Sequence, residues 1–220
     1  NVPKKILPDM EAFQFHIKHK LESWGFRSIN KIEIEKDFKR LGLFSRNPKE
    51  GREEGFIFTS KNGLKVIVWT TFVLQDEKAR DEDLGWVLIT NGDKVLYFAH
   101  PFRRTKNFAA NLTRYAWIAR WRVLNRPLCP DCNRLMDIAR GKGIRARYWI
   151  CTNRTKHKSA KATKISWDYG MPPKALAFLK AERAARRKYI VRRRKDGKLA
   201  NVAPLIRSGM WTVSRKDNMV

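Results

Sequence analysis

Cys129 and Cys132 flank Pro130-Asp131, Cys151 follows nineteen positions later, and His157 stands six positions after that. No other feature of the 220 residues restricts the fold as tightly. Two thiolates two residues apart can grip one ion from a single tight turn, and a second pair from a neighbouring hairpin completes a tetrahedron. The segment between them supplies that hairpin. Leu135-Met136-Asp137-Ile138 and Arg147-Tyr148-Trp149-Ile150 read as two strands joined by the turn Arg140-Gly141-Lys142-Gly143, which carries Cys151 back beside the first pair. Cys129, Cys132, Cys151 and His157 are therefore the expected metal ligands, and Zn²⁺ the expected ion. Four protein ligands leave no open position for water, so the expected role is structural. The alternatives are a redox pair or ordinary buried thiols. A redox C-x-x-C would open a helix in a βαβ unit, which is not the context of Cys129.

The run Cys129-Pro130-x-Cys132, then Leu135, a basic glycine turn and Trp149-Ile150-Cys151-Thr152-Asn153 resembles the zinc ribbon repeated at the C-terminus of bacterial type I topoisomerases. The resemblance covers about residues 127–158. Where that family places its last cysteine, His157 stands at the corresponding spacing, and Cys₃His is an ordinary structural zinc set. The resemblance implies a metal-stapled β module that contacts single-stranded DNA.

Charge divides the chain. Residues 1–100 hold 17 basic and 15 acidic residues, whereas residues 101–220 hold 31 and 6, a net of +25 in a chain whose total is +27. A core needs no such field, and self-repulsion opposes compaction. A polyanion that binds the second half compensates it, and nucleic acid is the expected one. The expected contacts around the hairpin are Arg134, Arg140, Lys142, Arg145, Arg147, Arg154 and Lys156, interleaved with the aromatic faces of Tyr148 and Trp149. Trp149 either stacks on a base or covers the metal. A helix from Pro172-Pro173 to about Lys195 adds Arg183, Arg186, Arg187, Arg192, Arg193 and Arg194, with a partial apolar stripe of Leu176, Leu179 and Ile190. A helix over 104–124 adds Arg104, Arg114, Arg120 and Arg122 on a charged side, with Phe108, Leu112, Tyr115 and Ala119 toward a core. Trp117 and Trp121 share a face that packs on a sheet or stacks on bases.

The first half reads as a small mixed sheet with flanking helices, an α+β class. Residues 9–24 form an amphipathic helix, capped by Asp9 and stopped by Gly25. Ile32 and Ile34 suggest a short strand, 45–54 a polar loop, and Asp76 to Asp83 a solvated acidic loop. Phe56–Thr59 and Leu64–Thr71 flank Asn62-Gly63, and Trp86–Thr90 and Lys94–Phe98 flank Asn91-Gly92. Asn-Gly between strand-like runs signals a type I′ hairpin. Helix, hairpin, strand, strand, helix and then a zinc ribbon resembles small restriction-endonuclease-like proteins with a degenerate motif. The resemblance implies a carboxylate site for a divalent metal, with Glu11, Glu54 and Asp83 as the candidate catalytic residues. Trp69 and Thr71 stand where that family needs Glu and Lys, and no carboxylate lies on that strand.

The expected organisation is an α+β domain over 1–125, a zinc ribbon over 126–165, and a basic helix and tail over 166–220. No run of roughly 18 apolar residues exists, so no membrane span is expected. Three cysteines form no closed disulfide framework and no secretory leader is visible, so the expected setting is intracellular, in the cytoplasm and nucleoid or the nucleus. No P-loop, dinucleotide loop or Ser-His-Asp pattern is readable. The leading expectation is a non-catalytic nucleic-acid-binding protein, DNA favoured over RNA, within a larger protein–nucleic acid complex serving transcription, replication, recombination or DNA defence. A metal-dependent nuclease and a ribosome-associated RNA-binding protein are the alternatives.

Overall fold

The apolar runs of the first half pair as an antiparallel meander of five strands: β1 (Arg27–Ile29), β2 (Gly51–Thr59), β3 (Lys65–Val73), β4 (Leu84–Asn91) and β5 (Lys94–Ala99), in that spatial order. The computed structural model describes residues 17–29, 51–73, 84–92, 94–99, 108–140, 147–153, 157 and 163–195; for 51–54, 71–73, 84, 108, 109, 140 and 189–195 it describes the backbone alone. The class is α+β, as expected, but every strand pair in the sheet is antiparallel rather than mixed. β3 and β4 read as near-continuous apolar runs because both their faces are buried. Val66, Val68, Val87 and Ile89 lie in one cluster, Ile67, Trp69 and Leu88 in another, all at most 5 % exposed.

A first helix, α1, occupies 17–23 of the described residues. It closes as its sequence predicts: Gly25, at φ 81°, donates to Glu22 O at 2.8 Å, and Phe26 donates to Leu21 O at 3.1 Å. That pair of bonds needs a left-handed residue, which glycine supplies without steric cost. The remainder of the helix expected over 9–24, the strand at Ile32 and Ile34, and the acidic segment before β4 lie outside the described residues.

Both hairpins form, with turns that differ from type I′ over Asn-Gly. Thr59 pairs with Lys65, so the first loop has five residues; Ser60 N donates to Leu64 O and Gly63 N to Ser60 O, and Gly63 alone takes positive φ, at 78°. In the second, Asn91 pairs with Lys94 and is the last strand residue, and Gly92, at φ 54°, opens the turn. The polar stretch at 51–54, expected as loop, is strand, because Val73, Phe72, Thr71 and Thr70 pair with it.

Helix α2 (Phe108–Leu124) packs on β3 and β4, and its Leu112, Tyr115, Ala116, Ala119 and Val123 belong to the buried cluster that includes residues of both strands. A second, three-stranded antiparallel sheet follows: β6 (Asp137–Arg140), β7 (Arg147–Ile150) and β8 (Lys164–Ser166). The chain then enters α3 (Pro173–Lys195), where Pro172 O accepts from Ala175 and Leu176. One buried cluster runs from Ile17 and Phe56 through Leu112 and Ile118 to Cys129, Met136, Trp149, Cys151, Trp167 and Leu179. Residues on both sides of the boundaries expected at 125/126 and 165/166 belong to that cluster. Arg147 Nε also donates to Leu96 O at 2.9 Å, tying β7 to β5.

At the junction lies Arg122, 1 % exposed, which the sequence placed on a charged face. Its guanidinium sits 4.3 Å from the Trp167 ring and 5.3 Å from the Tyr97 ring, and donates to Asp168 at 2.9 Å. Burial lowers its pKa; Tyr97 and Asp168 work against that shift. The helical spacing was right, and the error was one of sidedness: the face toward Tyr97 and Trp167 is closed by aromatic rings.

Candidate metal centre

Cys129 and Cys132 stand on a knuckle closed by backbone hydrogen bonds. Leu128 and Leu135 form an antiparallel bridge, Met136 N donates to Pro127 O at 2.9 Å, Cys129 N to Arg134 O at 2.7 Å and Asn133 N to Cys129 O at 2.8 Å. Reversing the chain this tightly requires one left-handed residue, and Asn133 takes it at φ 58°. Asparagine tolerates that region because its short polar side chain bonds locally, whereas a β-branched residue loses about 1–2 kcal/mol there. Asn133→Gly is thus expected to hold the melting temperature or raise it, and Asn133→Val to lower stability by about 1–2 kcal/mol in denaturant titration.

The second pair comes from the other side of the small sheet. Cys151 follows β7, and its N–H donates to Thr163 O at 3.1 Å, just before β8. His157 lies in the connection between those strands. The four ligand atoms all lie within 4.8 Å of one another: Cys129 Sγ to His157 Nε2 is 3.5 Å, Cys132 Sγ to Cys151 Sγ is 3.5 Å, and Cys132 Sγ to His157 Nε2 is 3.7 Å. A tetrahedron of sulfur and nitrogen around an ion at about 2.0–2.3 Å has edges of roughly 3.5–3.8 Å. These four residues can hold a metal ion, and they are the only such group among the described residues. Cys129 and Cys151 are buried and Cys132 is half-buried.

The knuckle also sets the thiol chemistry. Burial opposes ionisation of Cys129, but N–H groups of Asp131 and Cys132 and the neighbouring thiols outweigh it and bring that thiol down to about 7. Burial pushes Cys151 up to about 11 against the N–H of Asn153. A metal binds the thiolate, so protons compete with it and affinity must rise with pH. Below about 11 the Cys151 proton alone gives about a tenfold gain per pH unit, and below about 7 Cys129 adds to it. Competition for Zn²⁺ against a chromophoric chelator is expected to show at least that slope between pH 6 and 8, steeper at the acid end. A pH-independent affinity would contradict thiolate ligation.

Trp149 is 1 % exposed and packs at 4.8 Å, centroid to centroid, on Trp167. Its expected stacking role is corrected: the ring belongs to the core and has no free face. Tyr148 is half-buried with the Lys164 ammonium 5.1 Å from its ring. Of the expected nucleic-acid contacts, Arg114, Arg134, Arg183 and Arg187 are exposed. Arg120, Arg147 and Arg186 are half-buried, with the Arg120 guanidinium 4.9 Å from the Phe58 ring. Arg140, Arg192, Arg193 and Arg194 are placed by their backbone alone, on β6 and α3. Arg104, Lys142, Arg145, Arg154 and Lys156 lie outside the described residues, as do Glu11 and Asp83; Glu54 is on β2, paired with Thr70.

Several residues that shape the site were not anticipated. Glu182, the lone acid of α3, is 5 % exposed and accepts from Asn111 and from the Tyr115 hydroxyl, each at 3.3 Å, which locks α3 against α2. Burial raises the Tyr115 hydroxyl's pKa, Arg186 opposing and Glu182 adding. Arg126 donates to Met136 O at 3.0 and 2.8 Å and to Asp137 at 2.7 Å, fastening the end of α2 to β6. A single acid in a basic helix, and an arginine just before the first cysteine, were the available signals. Comparison of the chain with family models, with curated proteins and with solved structures finds no match.

Proposed function

We propose that this protein binds nucleic acid, DNA before RNA, through a cationic surface on a zinc-stapled β module and the helix that follows it. One observation carries the reading. Residues 126–195 hold 21 basic and 4 acidic residues, and each acid is engaged inside the molecule. Asp131 accepts from Thr163, Asp137 from Arg126 and Thr152, Asp168 from Arg122, and Glu182 from Asn111 and Tyr115. Four carboxylates cannot neutralise that surplus, so an external polyanion is the natural counter-charge.

The way α3 docks supports the same conclusion. Ala175, Leu179 and Glu182 face the core, while Lys174, Lys180, Arg183, Arg187 and Lys188 face solvent. The helix spans roughly 35 Å at about 1.5 Å per residue, long enough to follow several phosphates. Zinc is the ion best matched to three thiolates and one imidazole in a tetrahedron. Four protein ligands leave it no open position, so its role is to hold the fold, and the binder is a non-catalytic part of a larger assembly. No helix among the described residues is long and apolar enough to cross a membrane.

Filter binding of end-labelled DNA and RNA, single- and double-stranded, tests the proposal. Retention of at least one class in dilute buffer is expected, with the strands intact after incubation with Mg²⁺ or Mn²⁺. Failure to retain any of the four classes would overturn it.

A further inference from the structure

We propose that Tyr169 is a base-stacking residue, holding one unpaired base of a single-stranded nucleic acid at the turn that leads into α3. The inference rests on the nucleic-acid-binding reading and deepens it. Tyr169 is 59 % exposed, and among the residues whose side chains the structure describes it is the one aromatic with a mainly solvent-facing ring. Of the others expected to stack, Trp149 is in the core, Trp117 and Trp121 are partly buried against it, and Tyr148 is half-buried with the Lys164 ammonium 5.1 Å from its ring.

The turn that carries Tyr169 is fixed on every side. Tyr169 N donates to Ser166 O at 3.1 Å, Asp168 N to Ser166 Oγ at 3.3 Å and Met171 N to Asp168 O at 3.2 Å. Gly170 takes φ 68°, with Trp121 close enough that a Cβ there would touch its ring at 3.7 Å. Trp167 and Met171, 9 % and 5 % exposed, anchor the two flanks. Asp168 is held by the buried Arg122 at 2.9 Å. An exposed ring on a clamped turn binds without an ordering cost for the backbone beneath it.

Its electrostatic setting favours a phosphate chain over a protein surface. Arg183, 58 % exposed, stands 3.6 Å from Asp168, next to Tyr169 in the chain, and Lys174 and Lys180 are exposed on the helix that the turn opens. Bases have a π-face whatever their identity, so one ring beside a row of cations grips single strands with little sequence preference. In duplex nucleic acid the bases are stacked on one another and offer the ring nothing.

The test uses the metal-loaded full chain and a thymidine 12-mer carrying one 2-aminopurine. Wild type is expected to bind and to quench the 2-aminopurine. Tyr169→Ala is expected to lose about tenfold in affinity and most of the quenching, with an unchanged salt dependence and melting temperature, and Tyr169→Phe to retain both affinity and quenching. Affinity for a duplex of the same length should not respond to either substitution. Full single-strand affinity and quenching in Tyr169→Ala would overturn the stacking role while leaving nucleic-acid binding intact. Absence of binding to the 12-mer by wild type would overturn the stacking role, and absence of binding to duplex DNA and to RNA as well would overturn both.

Discussion

Cys132→Ser is expected to lose its metal and, with it, the folded state of the small sheet. Structural zinc contributes about 10–16 kcal/mol of apparent folding free energy in small metal-bound modules, as much as whole domains typically possess. The three strands beside the four-residue cluster are only four, four and three residues long, too short to hold together alone. The loss should spread, because Cys129, Cys151, Trp149 and Met136 belong to the same buried cluster as the α2 residues Leu112 and Ile118. Trp149 and Trp167 supply the readout: their emission should shift to the red and become quenchable by acrylamide on chelation. Intact-mass measurement in non-denaturing buffer should find one zinc per wild-type chain and none in the variant. Wild-type metal content and an unchanged melting temperature in Cys132→Ser would refute the ligand set.

The second large effect is expected at Asp168. Its replacement by Ala leaves the Arg122 guanidinium buried with no carboxylate beside it. Removing one partner of a buried pair costs about 3–5 kcal/mol, since the remaining charge is stranded in low dielectric. For a chain of this size that corresponds to a fall in melting temperature of roughly 10 °C. Asp168 is itself 30 % exposed, which puts the expected value at the lower end of the range. Arg122→Met removes the stranded charge and keeps much of the volume between Tyr97 and Trp167. The double variant Arg122→Met/Asp168→Ala should therefore be more stable than Asp168→Ala alone. If Asp168→Ala melts with the wild type, the pair does not fasten α2 to the turn before α3.

What the residues announced in advance divides along physical lines. The candidate metal cluster was legible because metal binding needs particular side chains at particular spacing, and Cys129, Cys132, Cys151 and His157 lie close enough together to hold an ion. The helix beginning at Pro173 was legible because proline at the first position and a long run without breakers leave few alternatives. Strand termini were not. Residues 51–54 read as loop, and only pairing with β3 makes them strand, a non-local fact absent from their own composition. β8, three residues long, carries too little periodicity to register. Burial of polar and amphipathic groups was the other blind spot. Nothing local separates Arg122, sealed between two rings, from Arg114, exposed two turns earlier on the same helix. By sequence Trp149 suits stacking on a base and covering the metal equally, and its partner Trp167 stands eighteen positions further on.

The central claim is that a metal-pinned, positively charged surface binds phosphate chains. Equilibrium affinity of the zinc-loaded protein for a single-stranded oligonucleotide, titrated from 50 to 200 mM monovalent salt, addresses it most directly. Five to seven phosphate contacts, the number the exposed cations of α3 with Arg114 and Arg134 can supply, predict a linear decline of log K against log salt and a loss of roughly 10²–10³-fold over that range. Affinity that is absent at 50 mM, or flat across the titration, would contradict the claim.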